Sequence, residues 1–353
     1  MKVLLDAYWW FDGPPSGRNV VRSLATNWAK QFPQDQISVM LPRRARNRKE
    51  LVEFTKKYSN LSFCFSAVPT HALSAVSAGI FFREFDVILT QNFAPLGSSA
   101  TRTVFIHDLM FLEHPEWFTF VERAYLRGIS ISSRWAHKVF TSSHAEAGRV
   151  RRLLPHIQAP VRAVGLSLAE GFSNAPAAQI QGLDECSGFL LSVGRINVRK
   201  NLDRLASSLL EANLISPSCP LVIIGAPDGA PGDSSSLDSA RERGCIIWTG
   251  PVTDSELKWA YRNCKLFIFP SLDEGFGLPV LEALSENCLI ALSDIPAFRE
   301  FGNVGTFFDP RNDRDIARGV RMALQNSETK SAGDALVLSW VDVVTSLRHE
   351  AAG

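Results

Sequence analysis

Short apolar runs and longer amphipathic stretches take turns along the first half of the chain. Lys2–Ala7, Gln36–Leu41, Leu61–Phe65, Asp86–Thr90, Thr103–Ile106 and Lys138–Thr141 have the length and apolar character of strands. Between them, Gly17–Lys30 carries Val20, Val21, Leu24 and Trp28 at helical spacing. Arg48–Tyr58, Phe118–Ala136 and Ser143–Leu154 also predict helices, the last capped by Ser142 or Ser143. This alternation predicts a doubly wound α/β domain. From about Gly165 to Ser187 the pattern lapses, and Ala169–Gly182, rich in Ala, Gly, Asn and Pro, predicts a linker.

The alternation then restarts. Phe189–Val193, Leu221–Ile224, Cys245–Trp248, Lys265–Phe269, Cys288–Leu292 and Gly305–Phe308 predict strands. Asn201–Ala212, Leu237–Arg243, Ser255–Asn263 and Arg314–Leu324 predict helices, and Ala335–His349 a final one with Trp340 on its apolar side. The expected fold class is α/β, with two Rossmann-like doubly wound domains, residues 1–168 and 187–334, and a terminal segment, 335–353. Ligands of such sheets bind beyond the carboxyl ends of the strands, so a cleft between the domains is the expected site.

Composition narrows the picture. A chain of 353 residues is long for one ordinary domain, and 46% hydrophobic with 21% charged residues is the make-up of a soluble globular protein. A net charge of +1 gives no reason to invoke nucleic acid. The basic runs Arg43–Lys49 and Arg149–Arg152 read either as solvated faces or as patches for anionic lipid or an anionic acceptor. Six scattered cysteines without C-x-x-C read as buried free thiols, which favours a reducing cytosol. Met1–Asp6 meets an acid at once and reads as a first strand, not a signal peptide. No run of about twenty apolar residues exists, so no membrane span is expected.

Candidate chemistry concentrates after two of the second-half strands. Pro270–Ala283, PSLDEGFGLPVLEA, follows the apolar run Lys265–Phe269. Glu274 falls in a strand-to-helix turn and Glu282, eight positions on, lies about two turns into the helix from Leu278. Gly275 and Gly277 permit close backbone approach to a ligand, and the helix start offers N–H groups to an anion. In Leu190–Leu202, LLSVGRINVRKNL, a strand ends at Val193, Gly194 follows, and Arg195 and Lys200 bracket a helix entry. Cations disfavour a helix N-terminus, so charge there points to an anion arriving from outside. Arg offers a planar fork and Lys a point charge for a diphosphate. Arg199 is adjacent but off this pattern.

Glu274 and Glu282 with Gly-Phe-Gly between them resemble the E-x7-E signature of family-4 retaining glycosyltransferases, and Gly194, Arg195 and Lys200 are similar to that family's phosphate-contacting segment. The resemblance implies the GT-B fold: an acceptor-side domain, a nucleotide-sugar domain facing it across a cleft, and a final helix that crosses back to the first. It implies that Glu274 and the backbone of Phe276, Gly277 and Leu278 hold the donor sugar, that Glu282 holds the ribose, and that Arg195 and Lys200 hold the diphosphate and stabilise it as it leaves. Gly250–Leu257, around Val252, is similar to the loop beside the nucleotide base. Asp294–Glu300 is similar to a structural segment, and Ser339-Trp340 to the start of the crossing helix. Asn287 stands where the family usually has Gly.

In the first half, Ser16-Gly17-Arg18 resembles the family's Gly-containing loop, whose backbone faces the diphosphate and sugar; the family often has two adjacent glycines, and here Gly17 stands alone. It is not a dinucleotide fingerprint. His107-Asp108 resembles the pair near the reacting carbon, so His107 is expected to position donor sugar and acceptor. No cofactor and no metal are expected: the one D-x-D string, Asp313-Arg314-Asp315, opens a helix, where acids favour the dipole. The segments look most like bacterial mannosyltransferases of surface-polysaccharide assembly. They imply a nucleotide-diphosphate sugar, GDP-mannose first, and a glycan or lipid-linked acceptor. The implied location is the cytoplasm, with peripheral contact at the membrane's inner face left open. Two alternatives share the fold, a nucleotide-sugar epimerase and an inactive nucleotide-sugar-binding paralogue.

Overall fold

A computed structural model of the chain describes residues 1–183, 188–226, 235–325 and 338–352. The expected domain limits at 187 and 334, the first residues of the expected terminal helix (335–337) and Cys186 lie outside them. Thirteen strands are described: β1 (Lys2–Asp6), β2 (Gln36–Pro42), β3 (Leu61–Ser66), β4 (Val87–Gln91), β5 (Thr101–Ile106), β6 (Lys138–Thr141), β7 (Val161–Ala163), β8 (Leu190–Val193), β9 (Leu221–Ile224), β10 (Ile246–Gly250), β11 (Leu266–Phe269), β12 (Ile290–Ser293) and β13 (Thr306–Phe308).

They form two sheets, ordered β3-β2-β1-β4-β5-β6-β7 and β10-β9-β8-β11-β12-β13. Every pairing is parallel. Parallel strands joined through helices are covered on both faces, which is why β4, β9, β11 and β12 are buried along their whole length. In each sheet the strand order reverses once, between β1 and β4 and between β8 and β11. The side chains just past those four strand ends are therefore the ones to read for chemistry.

The chain divides into two compact units. The first holds Met1–Leu112, Phe120–Ala169 and the residues from Leu338 on; the second holds Glu113–Thr119 and the residues from Glu170 up to the terminal segment. The short excursion Glu113–Thr119 breaks the continuity expected of the first domain. The terminal helix, Trp340–Ala352, lies on the first unit, against the helix Pro15–Gln31. Arg348 grips the buried Asp35 carboxylate with Nε and Nη2 at 2.7 and 3.0 Å, and Trp340 Nε1 donates to the Leu168 carbonyl at 2.7 Å.

Several elements depart from the expectations, the short helices Met110–Glu113 and Pro296–Arg299 among them. The helix His71–Phe81 has no counterpart in the sequence reading. Its apolar residues run almost all round, so no face stands out, although Ser74, Ala75 and Ala78 are its buried side. The edge strand β7 is three residues long with a polar centre, too short to show a period. The expected linker contains a short helix, Glu170–Asn174, held because the buried Lys258 ammonium donates to the Phe172 and Ser173 carbonyls at 3.2 and 2.8 Å. The single helix expected over Phe118–Ala136 is instead a helix at Phe120–Ser132 with 3-10 turns at Pro115–Trp117 and Ser133–Trp135. Ser143 is the cap of the helix His144–Leu153, its hydroxyl accepting from Glu146 N at 3.0 Å.

Candidate active site

The second unit brings its charged residues together where β8 and β11 part. β8 ends at Val193, and Gly194 (φ +148°) lets the chain turn. A Cβ on Gly194 would stand 3.1 Å from Lys200 Cε, so the bare backbone is what allows the Lys200 side chain to cross it. A 3-10 turn, Val198–Lys200, follows, with the Asn197 side chain accepting from Lys200 N at 3.3 Å. This segment is stitched to the loop after β11. Leu272 N donates to the Arg199 carbonyl at 2.9 Å, and Asn201 Nδ2 donates to the Pro270 and Pro310 carbonyls at 3.2 and 2.7 Å. Asn201 sits at φ +55°, a backbone that asparagine tolerates.

Glu274 is the centre of the arrangement. Its Oε1 accepts from Lys200 Nζ at 2.6 Å and its Oε2 pairs with Arg199 Nη1 at 2.6 Å. Its backbone N–H donates to the Asp273 side chain at 2.8 Å. Burial alone would raise the Glu274 carboxyl, but the Arg199 and Lys200 charges outweigh it and hold it at about 2. Burial, together with Arg199 and Arg195, pulls the Lys200 ammonium down to about 8 against the opposing pull of Glu274. Lys200 Nζ also lies 4.3 Å over the Phe269 ring. At neutral pH the cluster is an ionised carboxylate between two cations, with the exposed Arg195 near enough to act on Lys200 through its charge.

The positive charge at the helix entry already has an internal anion, Glu274, so it does not by itself demand one from outside. Arg199, off the expected pattern, is the arginine that touches Glu274. A sequence cannot tell which of two neighbouring cations turns inward; the 3-10 turn decides it.

Glu282 lies in the helix Leu278–Ser285, half-buried. Burial, with Asp254 adding to it, raises its carboxyl to about 7, although the Tyr261 hydroxyl donates to Oε2 at 3.0 Å. Gly277 caps that helix at φ +107°, and a Cβ there would meet Phe298 Cε1 at 2.8 Å, so no other residue fits the turn. Phe276 packs edge-on to Phe301 at 5.4 Å. Val252 precedes a capping box in which the Thr253 hydroxyl and the Glu256 carboxylate satisfy each other's backbone, so the resemblance of Gly250–Leu257 includes a helix start. His114 was not singled out by the sequence. It stacks on Trp117 with centroids 3.9 Å apart, and its Nε2 is 4.0 Å from Asp273 Oδ2, beside the Glu274 turn. In the D-x-D string, Asp315 pairs with Arg318 at 2.6 Å and Asp313 with Arg204 at 3.5 Å.

In the first unit, His107 stands just past β5 and its ring meets Gln91, Trp9 and Phe105. Burial, and then His71, lower its imidazole to about 4, so it is neutral at physiological pH. Gly17 lies in the first turn of the helix Pro15–Gln31, which begins two residues before the expected start. A Cβ on Gly17 would come 2.8 Å from the Trp9 ring, and one on Gly13 2.9 Å. Both glycines thus make room for an indole four and eight positions away in the chain.

The family model described as "Glycosyl transferases group 1" matches residues 175–333 of the chain, a little under half of it. Among curated proteins it is similar to the serotype-specific mannosyltransferase WbdA of Escherichia coli, 38% identical over 144 residues, which are 38% of this chain but 17% of that protein. It is also similar to the O-antigen chain mannosyltransferase RfbU of Salmonella typhimurium, 23% identical over 67% of this chain and 64% of the relative. The matched stretch thus spans only about a sixth of the length of WbdA. Among solved structures, sucrose-phosphate synthase of Thermosynechococcus elongatus superposes with a TM-score of 0.69 at 13% identity, covering 99% of this chain and 98% of the other. HepE of Anabaena, solved with UDP and glucose, gives 0.65 at 13% identity over 99% of each chain. At such identities the likeness is one of fold, and that fold is two parallel-sheet Rossmann-like domains of the GT-B class.

Proposed function

We propose that the protein is a retaining, metal-independent glycosyltransferase that moves a hexosyl group from a nucleotide-diphosphate sugar to a hydroxyl of a glycan or lipid-linked acceptor. The single observation that carries this reading is the Arg199–Glu274–Lys200 cluster at the point where the strand order of the second sheet reverses. Its ionised carboxylate suits hydrogen bonds from sugar hydroxyls, and its cations suit a diphosphate beside them. The group 1 family match and the mannosyltransferase relatives support the same class and a mannosyl donor, for which GDP-mannose is our first choice. HepE, whose structure holds UDP and glucose, supports a nucleotide-sugar donor.

In this reading Arg195 and Lys200 hold the donor diphosphate, with Gly194 giving it access. Glu274 and the backbone of Phe276, Gly277 and Leu278 hold the sugar. Glu282 holds the ribose and the loop at Val252 lies beside the base. Gly17 and His107 are the first unit's share. As the C1–phosphate oxygen bond breaks, negative charge grows on the leaving diphosphate and Lys200 and Arg195 stabilise it. The acceptor oxygen forms its bond to C1 on the same face and its proton passes to the departing phosphate oxygen. Glu274, held near 2, is a charged acceptor of hydrogen bonds and not a general acid. The cations take the place that a divalent metal would fill in leaving-group stabilisation. We place the enzyme in the cytoplasm. Among the described residues no helix is long and apolar enough to cross a membrane.

The test is thermal unfolding with GDP, UDP, ADP and dTDP, each in millimolar excess and without metal. A nucleotide at a hundredfold excess over its Kd stabilises by about 2.7 kcal/mol. A clear upward shift with GDP alone is the expected result, followed by metal-free transfer from GDP-mannose. A shift with another diphosphate would replace the donor. No shift with any would remove the nucleotide site from the reading.

A further inference from the structure

The first sheet also reverses its strand order, between β1 and β4, and a buried polar cluster sits at that point too. Asp6 ends β1 and Gln91 ends β4. Gln91 N donates to Asp6 Oδ2 at 3.2 Å, and the same carboxylate oxygen lies 2.9 Å from His71 Nε2. Asn92, at φ +61°, bends the chain so that its side chain accepts from His107 N at 3.0 Å. The Gln91 side chain is left pointing at the His107 ring, with Oε1 2.8 Å from Nε2. Gln91 is buried.

We propose that Gln91 is a positioning residue for His107, fixing its imidazole with the proton on Nε2 so that the Nδ1 lone pair accepts a hydrogen bond from a substrate hydroxyl. This inference rests on the reading of His107 as a residue that meets a sugar. A carbonyl oxygen accepts and cannot donate, so a neutral imidazole that bonds it through Nε2 must carry its proton there. Nδ1 is then an acceptor only, and no described residue bonds it. The ring is neutral because it is buried and because His71 stands near it. Its orientation is fixed by Trp9 and Phe105, with centroids 5.4 and 5.0 Å away. Of the charged groups around it, Asp6 is tied to His71 and Asp108 adjoins it in the chain. A neutral ring held in one tautomer suits an uncharged hydroxyl, whereas an imidazolium would present a donor where the hydroxyl's own proton must go.

The experiment is two-bond 1H–15N correlation NMR of the histidine rings in the full 15N-labelled chain, with His107 assigned by its loss in His107→Asn. The expected spectrum at pH 7 shows Nε2 as pyrrole-like and Nδ1 as pyridine-like. A pyrrole-like Nδ1 overturns the proposal. Gln91→Glu, equal in size, places a carboxylate on Nε2 and should convert the ring to imidazolium at pH 7. It should lower kcat of transfer about tenfold, while KM for the nucleotide sugar stays within about twofold. Gln91→Leu should leave a mixture of tautomers and a smaller loss of kcat. An imidazolium in Gln91→Glu with unchanged kcat overturns the role for Nδ1. If the wild-type chain transfers no sugar, the glycosyltransferase reading fails instead, and the ring spectrum still decides the tautomer.

Discussion

The two strand-order reversals are built alike and equipped differently. At β8/β11 the side chains are ionic: Glu274 sits between Arg199 and Lys200, with Arg195 alongside. At β1/β4 the one buried carboxylate, Asp6, is tied to His71 and to backbone, and the groups beyond it are Gln91, a neutral His107 and the Trp9 indole. Cations gathered around Glu274, with the buried Asp273 next to it, fit a ligand that brings negative charge. An aromatic and neutral hydrogen-bonding end fits a ligand with hydroxyls and apolar faces. One topology thus provides two equivalent positions, and residue chemistry alone distinguishes them.

The comparison breaks first at Lys200. Lys200→Met leaves Glu274 buried with only Arg199 and, in the proposed mechanism, removes charge from the departing diphosphate. We expect kcat/KM of transfer to fall about a thousandfold, or about 4 kcal/mol. The variant is also expected to lose stability, since a buried carboxylate has lost a partner. Adding Glu274→Gln should restore much of the melting temperature and none of the activity. A single variant that keeps full transfer would remove the ionic site from the mechanism.

A second comparison separates the two arginines. Arg195 is exposed and Arg199 is bound to Glu274 and to the Asp273 carbonyl. Arg195→Gln should weaken binding of the nucleoside diphosphate about tenfold with little change in melting temperature. Arg199→Gln should lower the melting temperature and slow transfer more than it weakens binding. Calorimetric titration and denaturation of the same two proteins would show the reverse pattern if Arg199 were the diphosphate ligand.

Glu282 gives a pH signature. Its carboxyl is raised from 4.5 to about 7, so the folded chain keeps a proton that the unfolded chain loses. That contribution to stability is fully present below pH 4.5 and lost as pH rises through about 7. Glu282→Gln should therefore flatten this part of the stability profile, by about 1–2 kcal/mol between pH 5 and 8. Because ribose hydroxyls are held best by the ionised form, GDP affinity should rise severalfold over the same range in the parent and stay level in the variant. A parent whose affinity is constant from pH 5 to 8 would take Glu282 out of the ribose contact.

The smallest effect belongs to the neutral end. Gly17→Ala improves helix propensity by about 1 kcal/mol but drives a methyl to 2.8 Å from the Trp9 ring. Overpacking of that kind costs about 1–3 kcal/mol, so a net loss of about 1 kcal/mol is expected. In a Trp9→Leu background the same change should be neutral or stabilising, and urea denaturation of the four proteins gives the coupling. Stabilisation in the parent background would show that Trp9 yields freely and that Gly17 is not there to seat it.

The sequence by itself determined the two-sheet α/β architecture, because strands buried on both faces are short apolar runs and the helices between most of them carry one apolar stripe. It also marked Glu274, Glu282 and Lys200, through their resemblance to the E-x7-E signature and the phosphate-contacting segment of family-4 glycosyltransferases. Tertiary structure decided which groups meet. His71 reaches Asp6 across 65 positions and His107 reaches Gln91 across 16. The choice of Arg199 over Arg195 as the partner of Glu274 came from the direction of a three-residue turn. The placing of Gly17 under Trp9 came from the entry of a helix. Periodicity records which face of an element is buried. It carries no record of which distant element will cover that face, and hydrogen bonds and ion pairs form only once that partner has arrived.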